Sequence, residues 1–290
     1  MAKTQKLRFG IVANPEKPGK ELLGELMKRF EERDMDFLVE ERIASDFSLK
    51  GGVTLDKLAE QSDMLVVLGG DGTILYMLRE LGEAIKPIAA INTGTLGFMT
   101  CATEEETAGF VTSLDKKTYT VTDRMILRCQ IKIPHKKARE CFGLNEVTLS
   151  RKNDSRVIHV EATINKLFAN RYTGDGIIVS TPTGSTAYSL SAGGPLVEPG
   201  TNCFILTPVC PHALANRPLV LDANSSIDLN VPIQRDQLSV MVDGQLISDI
   251  DKGARIRIEK APFVLPLVSL PGQNFFGILH QKLGWTGSSL

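Results

Sequence analysis

The chain has 290 residues, 42% of them hydrophobic and 23% charged, with a formal net charge of -1. That length buries a sizeable core in one large domain or two modest ones, and the charge balance excludes a global basic field directed at nucleic acid or an acidic membrane surface. No apolar run reaches the roughly eighteen residues of a membrane span, and Met1 to Arg8 lack the apolar core and cleavage site of a signal peptide.

Leu7 to Ala13 reads as a strand, followed by a turn with Pro15, Pro18 and Gly19. In Glu21 to Arg33 the spacing of Leu22, Leu23, Leu26, Met27 and Phe30 predicts a helix. The run Met-Leu-Val-Val-Leu within Asp63 to Leu68 predicts a strand buried on both faces, and Ile88 to Ile91 a second. Thr103 starts another helix as its cap, with Glu104, Glu105 and Glu106 at the positive end of the dipole. This alternation predicts an α/β domain, a parallel sheet with helices on both faces, over residues 1–122.

Near Tyr119 the texture changes to short alternating runs rich in Thr, Val, Ile and Arg. Met125 to Ile133, Asn145 to Ser150, Val157 to Ile164, Ile177 to Ser180, Ile227 to Val231, Leu238 to Val242 and Arg255 to Glu259 read as strands. An all-β, sandwich-like domain over residues 123–271 is expected. Helical spacing returns in Asn274 to Leu283, so residues 272–290 are expected to form a helix that packs back on the first domain. The five cysteines, Cys101, Cys129, Cys141, Cys203 and Cys210, are scattered and never spaced CxxC. They read as buried, reduced thiols of a cytoplasmic protein, neither a disulfide framework nor a zinc site.

An apolar strand runs directly into Gly69-Gly70-Asp71-Gly72-Thr73, and a helical segment follows. Strand ends of open parallel sheets are ligand sites. Glycines there let backbone approach a phosphate, and the N–H groups opening a helix suit an anion. A carboxylate in that position repels phosphate, so Asp71 suggests a proton acceptor for an attacking hydroxyl, or a Mg²⁺ ligand; the alternative is an ordinary Gly-Asp-Gly turn. Neither GxxxxGK[ST] nor GxGxxG accounts for the loop. The turn Asn92 to Phe98 leaves the next strand, and parallel strands would put both loops at one sheet edge, with Phe98 either walling a crevice or filling core.

Asn145-Glu146 precedes a strand and can pair with a ribose diol or a base edge; the alternative is a turn with a solvent-facing Glu. In Thr173 to Tyr188, five hydroxyl residues between Ser180 and Thr186 would offer donors to phosphate oxygens at little steric cost, and Tyr188 can stack on a ring. His212, between Pro211 and Ala213, reads as structural or pocket-lining, and Trp285 as a packing anchor.

Taken in order, Gly69 to Thr73, Asn145-Glu146, Thr173 to Pro195, Pro211-His212 with Arg217-Pro218-Leu219, Asp243-Gly244-Gln245 and Lys282 to Trp285 resemble the NAD kinase family over nearly the whole chain. Gly-Gly-Asp-Gly-Thr alone is shared with lipid kinases and phosphofructokinases. Asn-Glu followed by Gly-Asp-Gly and Ser-Thr-Pro-Thr-Gly-Ser-Thr-Ala-Tyr is far more specific. The resemblance implies transfer of the γ-phosphoryl of ATP, or of polyphosphate, to the 2′-hydroxyl of the adenosine ribose of NAD, with Mg²⁺ or another divalent cation accompanying the donor and no dedicated metal cage. Asp71 would be the proton acceptor, beside Gly72. Phe98, Asn145, Glu146, Arg156, Thr173, Asp175, Thr186, Ala187, Tyr188, Ser191 and Gln245 would contact NAD, while Gly69, Gly70, Gly72, Thr73 and Thr183 would hold phosphate. A cytoplasmic homo-oligomer, dimer or tetramer, is implied, with neither nucleic acid nor membrane as partner. A lipid kinase or a non-catalytic dinucleotide sensor would be the rivals; the first lacks a basic amphipathic helix here, and the second has no use for Asp71.

Overall fold

A computed structural model describes residues 6–14, 19–49, 51–94, 97–152, 157–232 and 237–284. Arg156 and Trp285, singled out above, lie outside the described residues, as do Thr95 and Leu96 of the second glycine turn. The chain forms two compact units: Met1–Asp123 with Leu265–Leu290, and Arg124–Val264.

In the first unit the chain runs β1 (Arg8–Ala13), α1 (Lys20–Glu32), β2 (Asp36–Val39), α2 (Glu41–Asp46), α3 (Leu55–Gln61), β3 (Met64–Leu68), α4 (Asp71–Leu81), β4 (Ile88–Asn92), β5 (Ala102–Thr103) and α5 (Thr107–Lys116). The strands lie in the order β2-β1-β3-β4, with β5 beside β4, and every pair is parallel. All five residues of β3 are buried, as an uninterrupted apolar run requires of a strand covered on both faces. From α1, Leu22, Leu23, Leu26 and Phe30 enter a core with Phe9, Val66 and Phe110, and the Phe9 and Phe30 rings meet edge to face at 5.2 Å. Leu58 of α3 and Ile74, Met77 and Leu78 of α4 are buried apart from that cluster. Thr103 and Glu106 form a reciprocal capping box, the first turn being 3₁₀ before α5 begins.

The second unit takes in most of β6 (Thr120–Lys132), then β7 (Arg139–Gly143), β8 (Glu146–Arg151), β9 (Ile158–Ile164), β10 (Leu167–Gly174), β11 (Gly176–Ser180), α6 (Tyr188–Ser191), β12 (Cys203–Val209), β13 (Leu219–Asp222), β14 (Ile227–Asn230), β15 (Leu238–Val242) and β16 (Gln245–Ile250). Six strands form an antiparallel sheet in the order β13-β12-β11-β8-β15-β16. A second antiparallel array, β10-β9-β14, is completed by the first part of β17 (Arg255–Ser269). Inward residues of both sheets share one core, including Val147, Leu149, Ile177, Phe204 and Val240 from the first and Val160, Ile227, Leu229, Ile256 and Ile258 from the second. This is a sandwich built from the alternation visible in the sequence.

The strand read as Arg255 to Glu259 continues to Ser269, through Pro262 and Pro266, and Leu267 lies parallel to Ile88 of the first unit's sheet. The chain then forms α7 (Phe275–Leu283), capped by the Asn274 side chain, which accepts the Gly277 N–H at 2.8 Å. Of the cysteines, Cys101, Cys129 and Cys203 are buried as expected, but Cys141 is only partly covered and Cys210 is exposed. Among the described residues, no helix is long and apolar enough to cross a membrane.

Candidate functional site

In the first unit the pairing of Leu68 with Ile91 brings the loops after β3 and β4 out at the same sheet edge. Gly69 and Gly70 join β3 to α4, and Asp71 is the first residue of that helix. Its carboxylate is gripped by the neighbouring loop: Phe98 donates its backbone N–H to Oδ2 at 3.0 Å and Met99 donates to Oδ1 at 3.1 Å. Gly97 makes this approach possible, since a Cβ there would stand 2.0 Å from Asp71 Oδ1. The loop is braced in turn by Asn92, whose Oδ1 accepts the Gly94 N–H at 2.8 Å, and by Thr100, whose Oγ1 accepts the Gly97 N–H at 3.0 Å.

Gly72 is exposed and Gly70 half-buried, and a Cβ at either would meet nothing within 4 Å. The backbone is therefore uncovered at the residues before and after the partly exposed Asp71. Phe98 is half-buried, with its backbone rather than its ring committed to Asp71. Thr73 is buried, and its N–H is spent on the Gly70 carbonyl at 3.0 Å.

In the second unit the corner before β8 is held by a carboxylate nearly a hundred residues away. Asp243 accepts the backbone N–H groups of Leu144 at 2.7 Å, Asn145 at 2.8 Å and Glu146 at 3.0 Å. It stands in the two-residue turn joining β15 to β16, with φ of 46° at Asp243 and 75° at Gly244, the left-handed pair that an Asp-Gly hairpin turn adopts. Burial pushes its carboxyl above the usual range, although the three N–H donors pull the other way.

On the other side, the Thr181 hydroxyl donates to the Leu144 carbonyl, and the Thr181 N–H donates to the Asn145 carbonyl at 2.9 Å. Gly184 passes so close that a Cβ there would lie 2.1 Å from the Asn145 carbonyl oxygen. Asn145, half-buried, and Glu146 are thus fixed through their backbones, which leaves their side chains free to be aimed.

Glu146 is not the solvent-facing residue of an ordinary turn. It is 6% exposed, and its Oε2 is buried without a hydrogen-bond partner. Burial first, and the Asp243 carboxylate second, push its pKa up to about 7, against the Tyr188 backbone N–H, which lowers it. A buried acceptor with nothing to accept is costly unless a ligand supplies the donor.

The hydroxyl-rich segment braces itself. Ser185 Oγ donates to the Pro182 carbonyl at 2.6 Å and also contacts Val197, Thr186 Oγ1 donates to the Thr183 carbonyl at 3.1 Å, and Ser189 pairs with Thr207 at 3.1 Å. Thr183 is buried in a 3₁₀ turn over Thr183–Thr186. The short, small side chains are needed because the loop bonds to itself at close quarters. Beyond it the surface opens: Thr186 and Ala187 are half-buried, and Tyr188 and Ser191 are exposed.

Other expected contacts are spread along strand ends. Thr173 Oγ1 is 3.0 Å from His159 Nδ1, and the Thr173 carbonyl accepts the His212 N–H at 3.0 Å. Asp175 pairs with Arg151 at 3.5 Å. Gln245 is exposed at the first position of β16, just after the Asp243 turn.

Asp243 itself was missed as a working residue. The signal was there, as Asp-Gly between two alternating runs marks a hairpin turn, but nothing local says where its carboxylate reaches. Among the described residues no group of three or more His, Cys, Asp or Glu side chains could hold a metal ion.

Comparison with known proteins gives the family. Residues 9–119 match the family model of the ATP-NAD kinase N-terminal domain and residues 144–270 that of the ATP-NAD kinase C-terminal domain. An NAD kinase of Wolinella succinogenes is 36% identical over 285 residues, covering 96% of this chain and 95% of that protein. One from Acetivibrio thermocellus is 39% identical over 254 residues, covering 86% and 88%. The structure is similar to yeast NADH kinase complexed with NADH, at a TM-score of 0.89 and 26% identity, covering 98% of this chain and 89% of the other. It is also similar to an NAD kinase from Archaeoglobus fulgidus in complex with ATP, at a TM-score of 0.73 and 27% identity, covering 97% and 100%. The chain belongs to the NAD kinase family, the enzymes that phosphorylate NAD.

Proposed function

We propose that Asp71 is the general base of the NAD kinase reaction and that the Asn145-Glu146 corner holds the dinucleotide. The 2′-hydroxyl of the adenosine ribose would give its proton to Asp71 as its oxygen bonds to the γ-phosphorus of ATP and ADP departs. A positioned base contributes about 10²–10⁴-fold; alignment and charge neutralisation supply most of the remainder. The observation that carries this reading is the grip of Phe98 and Met99 on Asp71, which fixes a partly exposed carboxylate beside open glycine backbone.

Glu146, with an unmet acceptor, is suited to a ribose hydroxyl, and Asn145 and Asp175 to hydroxyls and ring edges. Thr186, Ala187, Tyr188, Ser191 and Gln245 line the approach in this reading. Gly69, Gly70 and Gly72 admit phosphate, and the β-rich unit is the NAD-binding domain. A divalent cation fits this donor set as a passenger on the ATP phosphates that keeps several waters, with Asp71 the carboxylate at hand. Bound there, it would neutralise phosphate charge. A homo-oligomer and a cytoplasmic place of action belong to the same proposal; light scattering on the purified chain tests the first.

The test incubates the protein with NAD, ATP and Mg²⁺ and detects NADP with an NADP-specific dehydrogenase. Wild type should form NADP, while Asp71→Asn should bind NAD, melt within a few degrees of wild type and lose about 10²–10⁴-fold in turnover. Wild-type turnover in that variant removes Asp71 from the role of base.

A further inference from the structure

Two of the five cysteines face each other across a strand pair. Cys129 of β6 and Cys141 of β7 are direct antiparallel partners. Directly opposed residues have Cα atoms about 4.5–5.5 Å apart and side chains on the same face, inside the range of about 4.4–6.8 Å that a disulfide spans. The Cys141 thiol lies 3.7 Å from the Cys129 carbonyl oxygen and packs against the sandwich core in which Cys129 is fully buried. Cys141 is partly exposed, so one sulfur of the pair is reachable and the other shielded. Hydrogen bonding from the Cys129 thiol lowers the Cys141 pKa, although burial, Asp243 and Glu140 oppose that shift, and Cys129 is pushed upward. An attacking thiolate beside a resolving thiol is the arrangement of redox-active pairs.

We propose that Cys129 and Cys141 form an oxidation site that closes to an intrachain disulfide under peroxide, and that the dinucleotide corner reads its state. The Cys141 thiolate attacks one peroxide oxygen; the S–O bond forms, the O–O bond breaks, and the departing hydroxide takes up a proton as water. Cys129 then attacks the Cys141 sulfenic sulfur. The S–S bond forms, the S–O bond breaks, and the oxygen leaves as a second water carrying the Cys129 proton. Two electrons pass from the thiol pair to the peroxide.

The coupling follows from position. Cys141 lies two residues before Gly143, the end of β7, and the chain then enters Leu144-Asn145-Glu146, held by Asp243. At Gly143 a Cβ would already meet Asp243 Oδ1 at 3.1 Å and Val242 at 2.6 Å, so the strand end has no slack. Tying β7 to β6 constrains the segment that leads into the corner. This part rests on the assignment of Asn145 and Glu146 to NAD, which Glu146→Gln in the reduced enzyme tests separately.

The experiment treats the full chain with hydrogen peroxide, alkylates remaining thiols and maps peptides by mass spectrometry. A dithiothreitol-reversible link between the Cys129 and Cys141 peptides is expected, absent in Cys129→Ser and Cys141→Ser. Oxidation of Cys141 to sulfinic acid with Cys129 still alkylatable, or linkage only to the exposed Cys210, overturns the site. In the linked enzyme the apparent KM for NAD should change by at least about fivefold relative to the reduced form, a coupling in the usual range, and return on reduction. A smaller change with the bond formed overturns the coupling and leaves the disulfide.

Discussion

Asp71 and Asp243 are both aspartates whose carboxylates accept backbone N–H groups, and they end up with opposite characters. Asp71 takes two donors from a neighbouring loop and stays partly exposed at the start of a helix. Asp243 takes three, is likewise half-buried, and sits at a left-handed turn position. The first is a side chain positioned by backbone; the second is backbone positioned by a side chain. A hydrogen-bonded carboxylate is therefore read by which partner it holds in place: Asp71 is tied by the Phe98 and Met99 amides, whereas Asp243 ties the Leu144, Asn145 and Glu146 amides of the corner before β8.

That contrast can be broken experimentally. After Asp71→Asn, the largest effect is expected from Asp243→Ala, which leaves three partly or fully buried N–H groups without an acceptor. At about 1–3 kcal/mol for each unsatisfied group, the loss should be several kcal/mol, read as a fall in denaturant midpoint. An unchanged midpoint would show that Asp243 braces nothing. Gly97→Ala comes next. Its Cβ has to displace the Asp71 carboxylate, so kcat should fall by about 10²-fold while the melting temperature moves little; a normal kcat would mean that the Phe98 and Met99 grip is not needed.

Glu146→Gln sharpens the comparison through pH. The folded-state pKa of Glu146 is raised to about 7 from 4.5, so the native chain holds this proton more tightly than the unfolded chain. The stability it lends is fully present below about 4.5 and is lost as pH rises through about 7, on the order of 3 kcal/mol in all. The Gln variant should be close to wild type at pH 4.5, more stable at pH 8, and weaker for NAD. An equal stability difference at both pH values would show that Glu146 does not titrate in this way. The smallest effect is Asn145→Ala, which should raise the apparent KM for NAD by about three- to tenfold and that for ATP by less. Equal rises would take Asn145 out of dinucleotide binding.

Much of the architecture was legible because local pattern and global fold agree. Met64 to Leu68 reads as a covered strand and forms one, and the alternation after Tyr119 feeds a sandwich. The extension of β17 was hidden by Pro262 and Pro266, residues that usually argue against a strand interior. The turn from β3 into α4 at Gly69 to Thr73 was legible, but not the hold of Phe98 and Met99 on Asp71, 27 and 28 residues further on. The buried state of Glu146 was not, because it depends on a hairpin turn 97 residues further on. The hydroxyl run is ambiguous for a physical reason: Ser and Thr bond nearby backbone as readily as phosphate, and composition does not say which.

The sequence separations of these contacts carry a consequence for vectorial synthesis. Asp71 meets its donors 27 and 28 residues downstream, so its corner can close while most of the chain is still unmade. The corner at Asn145 waits for Asp243, 97 to 99 residues after the amides it holds. A nascent chain halted before that turn already contains the partners of Asp71 but has an unbraced corner at Asn145. Non-local closure of this kind is slow and exposes strand edges while it is awaited. The corner before β8 therefore stays open through the stretch of translation between Glu146 and Asp243, and β4 waits longer still for Leu267.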